Sequence, residues 1–128
     1  MRRTVLLIVA FTILAGSVPA RGEYPICTAA GTQDQIALAA GDSSAVVVWR
    51  DNRYDPANPY DIWASRRNYY MNPTWSSLTD GADVCAAAGR QEEPAVAVGP
   101  DGTTWIAWRD FRTCTGGQVF VQAIAPNG

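Results

Sequence analysis

The sequence predicts an all-β chain made of two copies of one antiparallel unit. The motif Trp-Arg-Asp-x-Arg occurs twice, at residues 49–53 and 108–112, and each copy closes a short apolar run. Further short apolar runs alternate with Gly, Pro, Asp and Ser, which is the pattern of strands joined by tight hairpins. Beyond the N-terminal apolar run, no useful window has a helical period. These three observations favour an all-β fold over a helical or mixed one.

Residues 1–20 have the layout of a secretory signal peptide. A basic start, Met-Arg-Arg, precedes an apolar run at 4–15, and Val18 and Ala20 are small enough for the cleavage site. The alternative, a membrane anchor, requires roughly 20 apolar residues, and this run is shorter. Ser17 occupies the place of the cysteine that a lipoprotein signal needs. We therefore expect cleavage after Ala20 and a secreted or periplasmic product.

The composition of the mature chain limits both its size and its chemistry. About 108 residues remain after cleavage, enough for one small domain with a modest core. All ten basic residues are arginines, and loss of two with the signal leaves eight against twelve acidic residues, a net charge of -4. This charge provides no basic field for nucleic acid or anionic lipid. The chain contains no histidine, which removes Ser-His, Cys-His and His-metal sites.

Two repeats, at about 25–82 and 83–128, account for nearly the whole mature chain. The second motif lies 59 residues after the first, and the stretches that begin near Cys27 and Cys85 align at an offset of 58. Downstream, Asp-Ile-Trp-Ala-Ser at 61–65 aligns with the second repeat at an offset of 57. Length changes therefore fall in the turns, because a slip within a strand would turn its buried side chains to the opposite face.

Each repeat contains a succession of short candidate strands. Those of the first repeat are 35–40, 45–50, 61–66 and, more weakly, 74–78 with 82–85; those of the second are 94–98, 103–109 and 118–124. The stretches 41–44 and 99–102 predict tight hairpins, the second because Pro presets the first corner and Gly accepts a positive φ. Apolar residues on both faces of 103–109 predict a strand that is covered on both sides.

Four short antiparallel strands in roughly 50 to 60 residues, repeated in tandem, are typical of β-propeller blades. The order Cys-Thr-Ala-Ala-Gly-x-Gln, a hairpin into Trp-x-Asp-x-Arg, and then Asp-Ile-Trp-Ala resembles the tandem repeats of secreted bacterial β-propeller-like proteins. The resemblance covers about residues 25–128 and implies two antiparallel propeller-type blades of about four strands each, a partial propeller. Such proteins usually carry many copies, whereas this chain has two, and the resemblance implies almost nothing about activity.

The Trp-Arg-Asp-x-Arg motif supports two interpretations. In the structural one, the Trp fills the space between sheets, while the Asp accepts loop N–H groups and pairs with the Arg that follows it. In the functional one, four arginines converge on an anionic ligand: Arg50, Arg53, Arg109 and Arg112. Repetition of a whole motif usually reflects packing between repeats, so we favour the structural interpretation.

Acidic residues form three weaker patterns. The sequence Asp-Gly-Thr-Thr-Trp at 101–105 differs from the Asp-box of sialidase-like propellers, because its Asp and Gly are adjacent and the preceding Ser is missing; we interpret it as a hairpin turn. Glu92 and Glu93, beside Pro94, indicate a solvated turn rather than a catalytic pair. Four oxygen-bearing side chains are candidate calcium ligands, although their spacing matches no known loop: Asp51, Asp55, Asn58 and Asp61.

Aromatic residues and cysteines complete the set of candidates. Tyr69, Tyr70 and Met71 with Trp75 are a candidate sugar-stacking platform, although aromatic residues between strands more often belong to a core. The three cysteines leave at least one thiol unpaired or paired between chains. If a disulfide forms, we favour Cys85 with Cys114, which lie in one repeat. The alternative is that the equivalent residues Cys27 and Cys85 are small buried apolar side chains.

These patterns predict no catalytic residues, no metal and no cofactor, and they leave the ligand unknown. We expect a structural or interaction module rather than an enzyme, with self-association or a surface glycan as candidate partners. The alternatives are a lectin that assembles a propeller from two-blade chains and, last, a sialidase-type hydrolase. Residues 25–27 match the tail of a fourth strand, and the sequence stops after a third. We therefore expect either that a neighbour completes the last sheet or that the chain is a fragment of a longer repeat protein.

Overall fold

The computed structural model describes residues 22–41, 43–54, 60–75 and 80–128. This part of the chain is all-β, as predicted, and forms two antiparallel sheets of four and three strands. The signal peptide predicted at 1–20 lies outside the described residues. In order, the strands are β1 (Gln33–Ala40), β2 (Ser44–Asp51), β3 (Asp61–Asn68), β4 (Ala82–Cys85), β5 (Gln91–Val98), β6 (Thr104–Asp110) and β7 (Gln118–Ile124).

Each sheet is a simple meander in which neighbours along the chain are neighbours in space. The first sheet has the order β1-β2-β3-β4 and the second the order β5-β6-β7. The hairpin predicted at 99–102 is present: Gly99 N–H donates to the Thr103 carbonyl at 2.8 Å, and Gly102 has a φ of +81°. In the equivalent hairpin of the first sheet, Gly41 N–H donates to the Ser44 carbonyl at 2.7 Å. No helix able to cross a bilayer occurs in the described ranges.

The first strand of each sheet begins earlier than predicted because it carries a β-bulge. The register shifts between Asp34 and Ala37 in β1 and at the equivalent place in β5. One residue in each bulge has a positive φ, 49° at Gln35 and 55° at Glu93. Such a bulge absorbs an extra residue and lets pairing resume beyond it. The prediction of a solvated turn at Glu92 and Glu93 was therefore wrong, because both residues lie within β5.

The fourth strand of the first sheet is shorter than the predicted run. Ala82–Cys85 pairs with β3 as expected. The described residues Thr74 and Trp75 are not in a strand; Pro73 forms an isolated bridge with Arg67, and Trp75 packs against the core. Residues 76–79 of the predicted run lie outside the described ranges.

The core lies between the two sheets, which approach each other where β5 lies against β1 and β2. Its buried members are contributed by the middle strands of both sheets: Val46, Val48, Ile62, Ala64, Ile106 and Trp108. Only one face of β6 is covered within the described chain. Thr104, Ile106 and Trp108 are buried, whereas Trp105 is half exposed and Arg109 is exposed. The prediction of a strand covered on both sides was therefore wrong, because no described segment packs on the far face of the second sheet.

Candidate functional site

The Trp-Arg-Asp-x-Arg motif of the first repeat forms a compact cluster around one fully buried carboxylate, Asp51. Trp49 and Asp51 lie two positions apart in β2, so their side chains share one face of the strand. The indole Nε1–H of Trp49 donates to Asp51 Oδ2 at 2.8 Å. Arg53 follows just beyond the strand and donates to the same carboxylate from Nε at 3.0 Å and from Nη2 at 2.6 Å. Its backbone N–H donates to Oδ1 at 2.8 Å, so the carboxylate closes the turn after β2.

The guanidinium of Arg53 is held on its remaining sides as well. Nη2 donates to the Sγ of Cys27 at 3.1 Å and to the carbonyl of Asp80 at 3.0 Å. The guanidinium carbon also lies 3.6 Å from the centroid of the Trp63 ring, a cation-π contact. This arginine therefore ties together the segment before β1, the turn before β4 and the strand β3.

The second repeat builds the same cluster. Trp108 Nε1–H donates to Asp110 Oδ2 at 3.0 Å, and both the backbone N–H and Nε of Arg112 donate to Oδ1 at 2.9 Å. Arg112 Nη2 contacts the Sγ of Cys85 at 3.1 Å, and its guanidinium carbon lies 4.2 Å from the Phe120 ring centroid. The two cysteines thus have equivalent roles.

The electrostatics of both clusters favour permanent ion pairs. Burial alone would raise the pKa of Asp51, but hydrogen bonds from Arg53 and Trp49 outweigh it, and the pKa lies below its ordinary value. For Asp110, the hydrogen bond from Arg112 is the largest cause of a strongly lowered pKa. Both carboxylates therefore remain ionised at neutral pH, and neither is suited to exchange a proton with a substrate.

Glycine and glutamine residues complete each cluster, and the sequence interpretation gave them no role. Gly31 has a φ of +97° and Gly89 a φ of +88°, and an added Cβ at Gly31 would lie 2.7 Å from the side chain of Asn52. Gln91 Nε2 donates to the Gly89 carbonyl at 2.8 Å, and Gln33 contacts Asp51 at 3.4 Å. The signal that could have found them is the Ala-Gly-x-Gln stretch shared by the repeats.

A second polar cluster joins the two sheets. Arg50 donates to both oxygens of Asp34 at 2.7 Å and to Glu92 Oε1 at 3.0 Å, and its guanidinium lies 3.7 Å from the Tyr60 ring centroid. Asp34 belongs to β1 and Glu92 to β5, so Arg50 bridges the sheets. The sequence carried a usable signal here, because Asp34 and Glu92 are acidic residues at the repeat offset of 58.

The four motif arginines do not form one anion site. Arg50, Arg53 and Arg112 are each engaged by carboxylates in separate clusters. Arg109 is more exposed; it lies 3.7 Å from Glu93 and donates to the Gly116 carbonyl at 2.8 Å. The structure therefore does not bring these residues together around a shared space.

The remaining sequence-predicted candidates are dispersed. Tyr69 and Tyr70 are exposed and meet edge to face with ring centroids 5.6 Å apart, whereas Trp75 packs against the core, so the predicted platform does not assemble. Of the candidate calcium ligands, Asp51 is used by Arg53, and residues 55 and 58 lie outside the described ranges. The described residues contain no group of three or more side chains suited to a metal ion.

The favoured disulfide between Cys85 and Cys114 is not formed. All three cysteines are free thiols, with Cys27 and Cys85 half-buried and Cys114 exposed. Burial raises the pKa of the Cys85 thiol. The two half-buried thiols instead accept contacts from the arginines of the clusters. Neither the bridge nor the alternative of a buried apolar side chain describes these two positions, because both thiols are half-buried and contact a guanidinium.

Comparisons of the chain with protein-family profiles, with curated protein sequences and with solved structures gave no match.

Proposed function

We propose that the chain is an exported structural or interaction module built from two propeller-type blades. The observation that carries this proposal is the repetition of one complete cluster in both sheets. The charged groups of each cluster are engaged in contacts within the chain. In each copy the carboxylate is fully buried, and the arginine is held by that carboxylate, a thiol and an aromatic ring. A motif used in this way stabilises the repeat and leaves no reactive group for a substrate.

The meander order of each sheet supports the blade interpretation. Neighbouring blades of a propeller pack face to face, with short antiparallel strands in chain order. Here the sheets meet face to face and approach each other at their first strands, β1 and β5. A repeat of this kind buries its apolar face only against a neighbour, so its biological role is to present an extended surface or to join repeats.

Neutral substitutions of the cluster arginines test the proposal. Arg53→Gln would leave the buried carboxylate of Asp51 without its cation, a change that costs about 3–5 kcal/mol in buried pairs. Arg112→Gln should act in the same direction, while Arg90→Gln is the control, since the Arg90 side chain is about half exposed at 52%. Thermal unfolding followed by circular dichroism should show lower midpoints for the first two variants. Unchanged midpoints, combined with loss of binding to any ligand, would show that the motif is a site.

A lectin is the second candidate, and one observation favours it. Tyr69 and Tyr70 are exposed, and Tyr69 borders an open depression of about 280 Å³ between the β1–β2 turn and the end of β3. Exposed aromatic rings with one polar end are suited to stacking on sugars. A glycan array on the exported protein tests this function, with Tyr69→Ala and Tyr70→Ala as the variants. Binding that both variants abolish would favour the lectin, and an array without binding would leave the structural module.

A further inference from the structure

Each of the two sheets has one face that points away from the other sheet, its outer face. We propose that these two outer faces are complementary halves of one interface, through which a second copy of the chain docks head to tail. The inference rests on the proposed repeat module and adds its partner. The sheet 2 outer face consists of Trp105, Ala107, Arg109, Val119 and Val121. The sheet 1 outer face is centred on the paired residues Leu38 and Val47.

The sheet 2 outer face is equivalent to a face that the molecule already buries. The repeat offsets place Val119 at the position of Ile62 and Val121 at the position of Ala64. In the first sheet these positions are 0% and 1% exposed, because the second sheet covers them. In the second sheet they are 83% and 62% exposed. The sequence thus keeps apolar residues on a surface that lacks its cover within the described chain.

The sheet 1 outer face is equivalent to the covering half of the same contact. Leu38 corresponds to Val96 and Val47 to Ile106 at the repeat offsets of 58 and 59. Val96 and Ile106 are also a directly opposed pair and pack into the core between the sheets. Leu38, in contrast, is 65% exposed. A second copy that offers this face would cover the sheet 2 outer face as the second sheet covers the first.

Charge complementarity points to the same occupant. Arg50 bridges Asp34 of its own sheet to Glu92 of the next sheet. In the second repeat Arg109 takes the position of Arg50, and Glu92 takes that of Asp34. The ion pair of Arg109 is a looser 3.7 Å contact with Glu93, and its second contact is a hydrogen bond to a neutral group, the Gly116 carbonyl, at 2.8 Å. In the docked pair, Asp34 of the second copy would lie where Glu92 lies within one chain. It would form an ion pair with Arg109.

The sheet edges are complementary in the same sense. Cys85 contacts Arg112 of the second sheet while β4 pairs with β3, where Cys85 lies opposite Ile62. Cys27 contacts Arg53 in the equivalent manner, yet the segment 25–27 pairs with no strand among the described residues. The outer edge of β7 is equally unpaired within the described chain. In the head-to-tail pair, the second copy's segment 25–27 would lie along β7 with Cys27 opposite Val119, by the register of β4 on β3.

An interface between two different faces leaves one free face at each end of a pair. Such a heterologous contact continues into a ring or an open filament. It also predicts the outcome of blocking one face at a time. Val121→Glu disables the sheet 2 outer face and leaves the sheet 1 outer face intact, whereas Leu38→Glu does the reverse. A mixture of the two variants therefore retains one working contact and should stop at a pair.

Light scattering coupled to size exclusion on the exported protein measures this directly. We expect assemblies larger than one chain for the unmodified protein and for the exposed-loop control Thr115→Glu. Each face variant alone should have the mass of one chain, and their equimolar mixture should have the mass of two chains. Val119→Glu is the second variant for the sheet 2 outer face if Val121→Glu fails to fold, as judged by its circular dichroism spectrum.

Three outcomes would overturn the proposal: an unmodified protein that stays monomeric up to high concentration, face variants that assemble like the unmodified protein, or a mixture that contains only single chains. None of these would touch the proposed structural role, which the unfolding of Arg53→Gln tests separately. The reverse result is also possible to recognise. If the mixture forms a pair but the substitutions of the motif arginines leave the stability unchanged, the interface is supported and the proposed structural role of the motif is refuted.

Discussion

Replacing Trp49 by alanine removes the largest side chain of the first cluster. Trp49 is 2% exposed, and its ring lies so close to Gly81 that a Cβ there would be 2.4 Å from the indole. Truncation of a buried Trp to Ala costs about 3–5 kcal/mol. Because a small domain has only about 5–15 kcal/mol of total stability, we expect Trp49→Ala to lose a large share of it.

A second substitution separates the hydrogen bond from the packing. Trp49→Phe keeps an aromatic ring but leaves Asp51 without the donor that lies 2.8 Å from Oδ2. A hydrogen bond to a charged group contributes about 1.5–3 kcal/mol. For a domain of this size, 1 kcal/mol corresponds to about 4–8 °C in the melting temperature. The melting temperature should therefore decrease in the order unmodified protein, Trp49→Phe, Trp49→Ala.

Circular dichroism melts of dilute protein are the assay, with Trp105→Ala as the control. Trp105 occupies the same strand position in the second repeat as a buried residue of β2, but it is half exposed, so its truncation should cost little in a single chain. The reasoning would be refuted if Trp49→Ala and Trp105→Ala had the same melting temperature. A folded Trp49→Ala protein that had lost a ligand would instead identify the motif as a binding site.

Three further substitutions test the electrostatics and packing of the clusters. Because the pKa of Asp110 is lowered in the folded state, its contribution to the free energy of unfolding is complete above the ordinary carboxyl pKa of about 4 and is lost as the pH falls. Asp110→Asn should therefore flatten the decline in melting temperature between about pH 5 and pH 2. An unchanged decline would contradict this. Asp61, whose pKa is raised by burial and by nearby aspartates, faces another aspartate across the strand pair, so Asp61→Asn should raise stability at pH 7 by up to about 1 kcal/mol in denaturant titrations. Gly81→Ala should destabilise the fold by about 1–3 kcal/mol, because φ is +85° and an added Cβ would clash with the Trp49 ring. Gly116→Ala is the control and should be near neutral, because nothing lies within 4 Å of an added Cβ. Equal melting temperatures for the two glycine variants would contradict this packing.

The internal repeat was the most informative feature of the sequence. The apolar runs between turns predicted the seven described strands in outline, and β7 matches the predicted range 118–124. The turn chemistry at 99–102 predicted its hairpin because Pro and Gly restrict the backbone locally. The motif interpretation also agrees with the contacts of Asp51 and Asp110, since a polar motif copied together with its apolar surroundings indicates a shared packing role.

Features that depend on contacts distant in sequence were not predictable. The bulges at Gln35 and Glu93 break the alternation on which strand ends are judged, so the first strands of both sheets were predicted too short. The pairing of Cys85 with Arg112 crosses from one sheet to the other, whereas the sequence offered only a disulfide with Cys114 or a small buried side chain at this position. Exposure of one face of β6 depends on what packs beside the second sheet, which no pattern within the strand encodes.

The position of the cysteines shows why the cluster acts as a joint between successive units. Cys85 lies at the end of β4 in the first sheet, whereas in the second sheet Asp110 ends β6 and Arg112 follows it. The cluster of the second sheet is therefore complete only when the end of β4, in the first sheet, lies against it. Cys27 supplies the same contact for the first sheet from the segment before β1. In both described sheets the thiol of the cluster therefore comes from the segment that precedes the sheet, and the motif fixes the point at which the chain enters it.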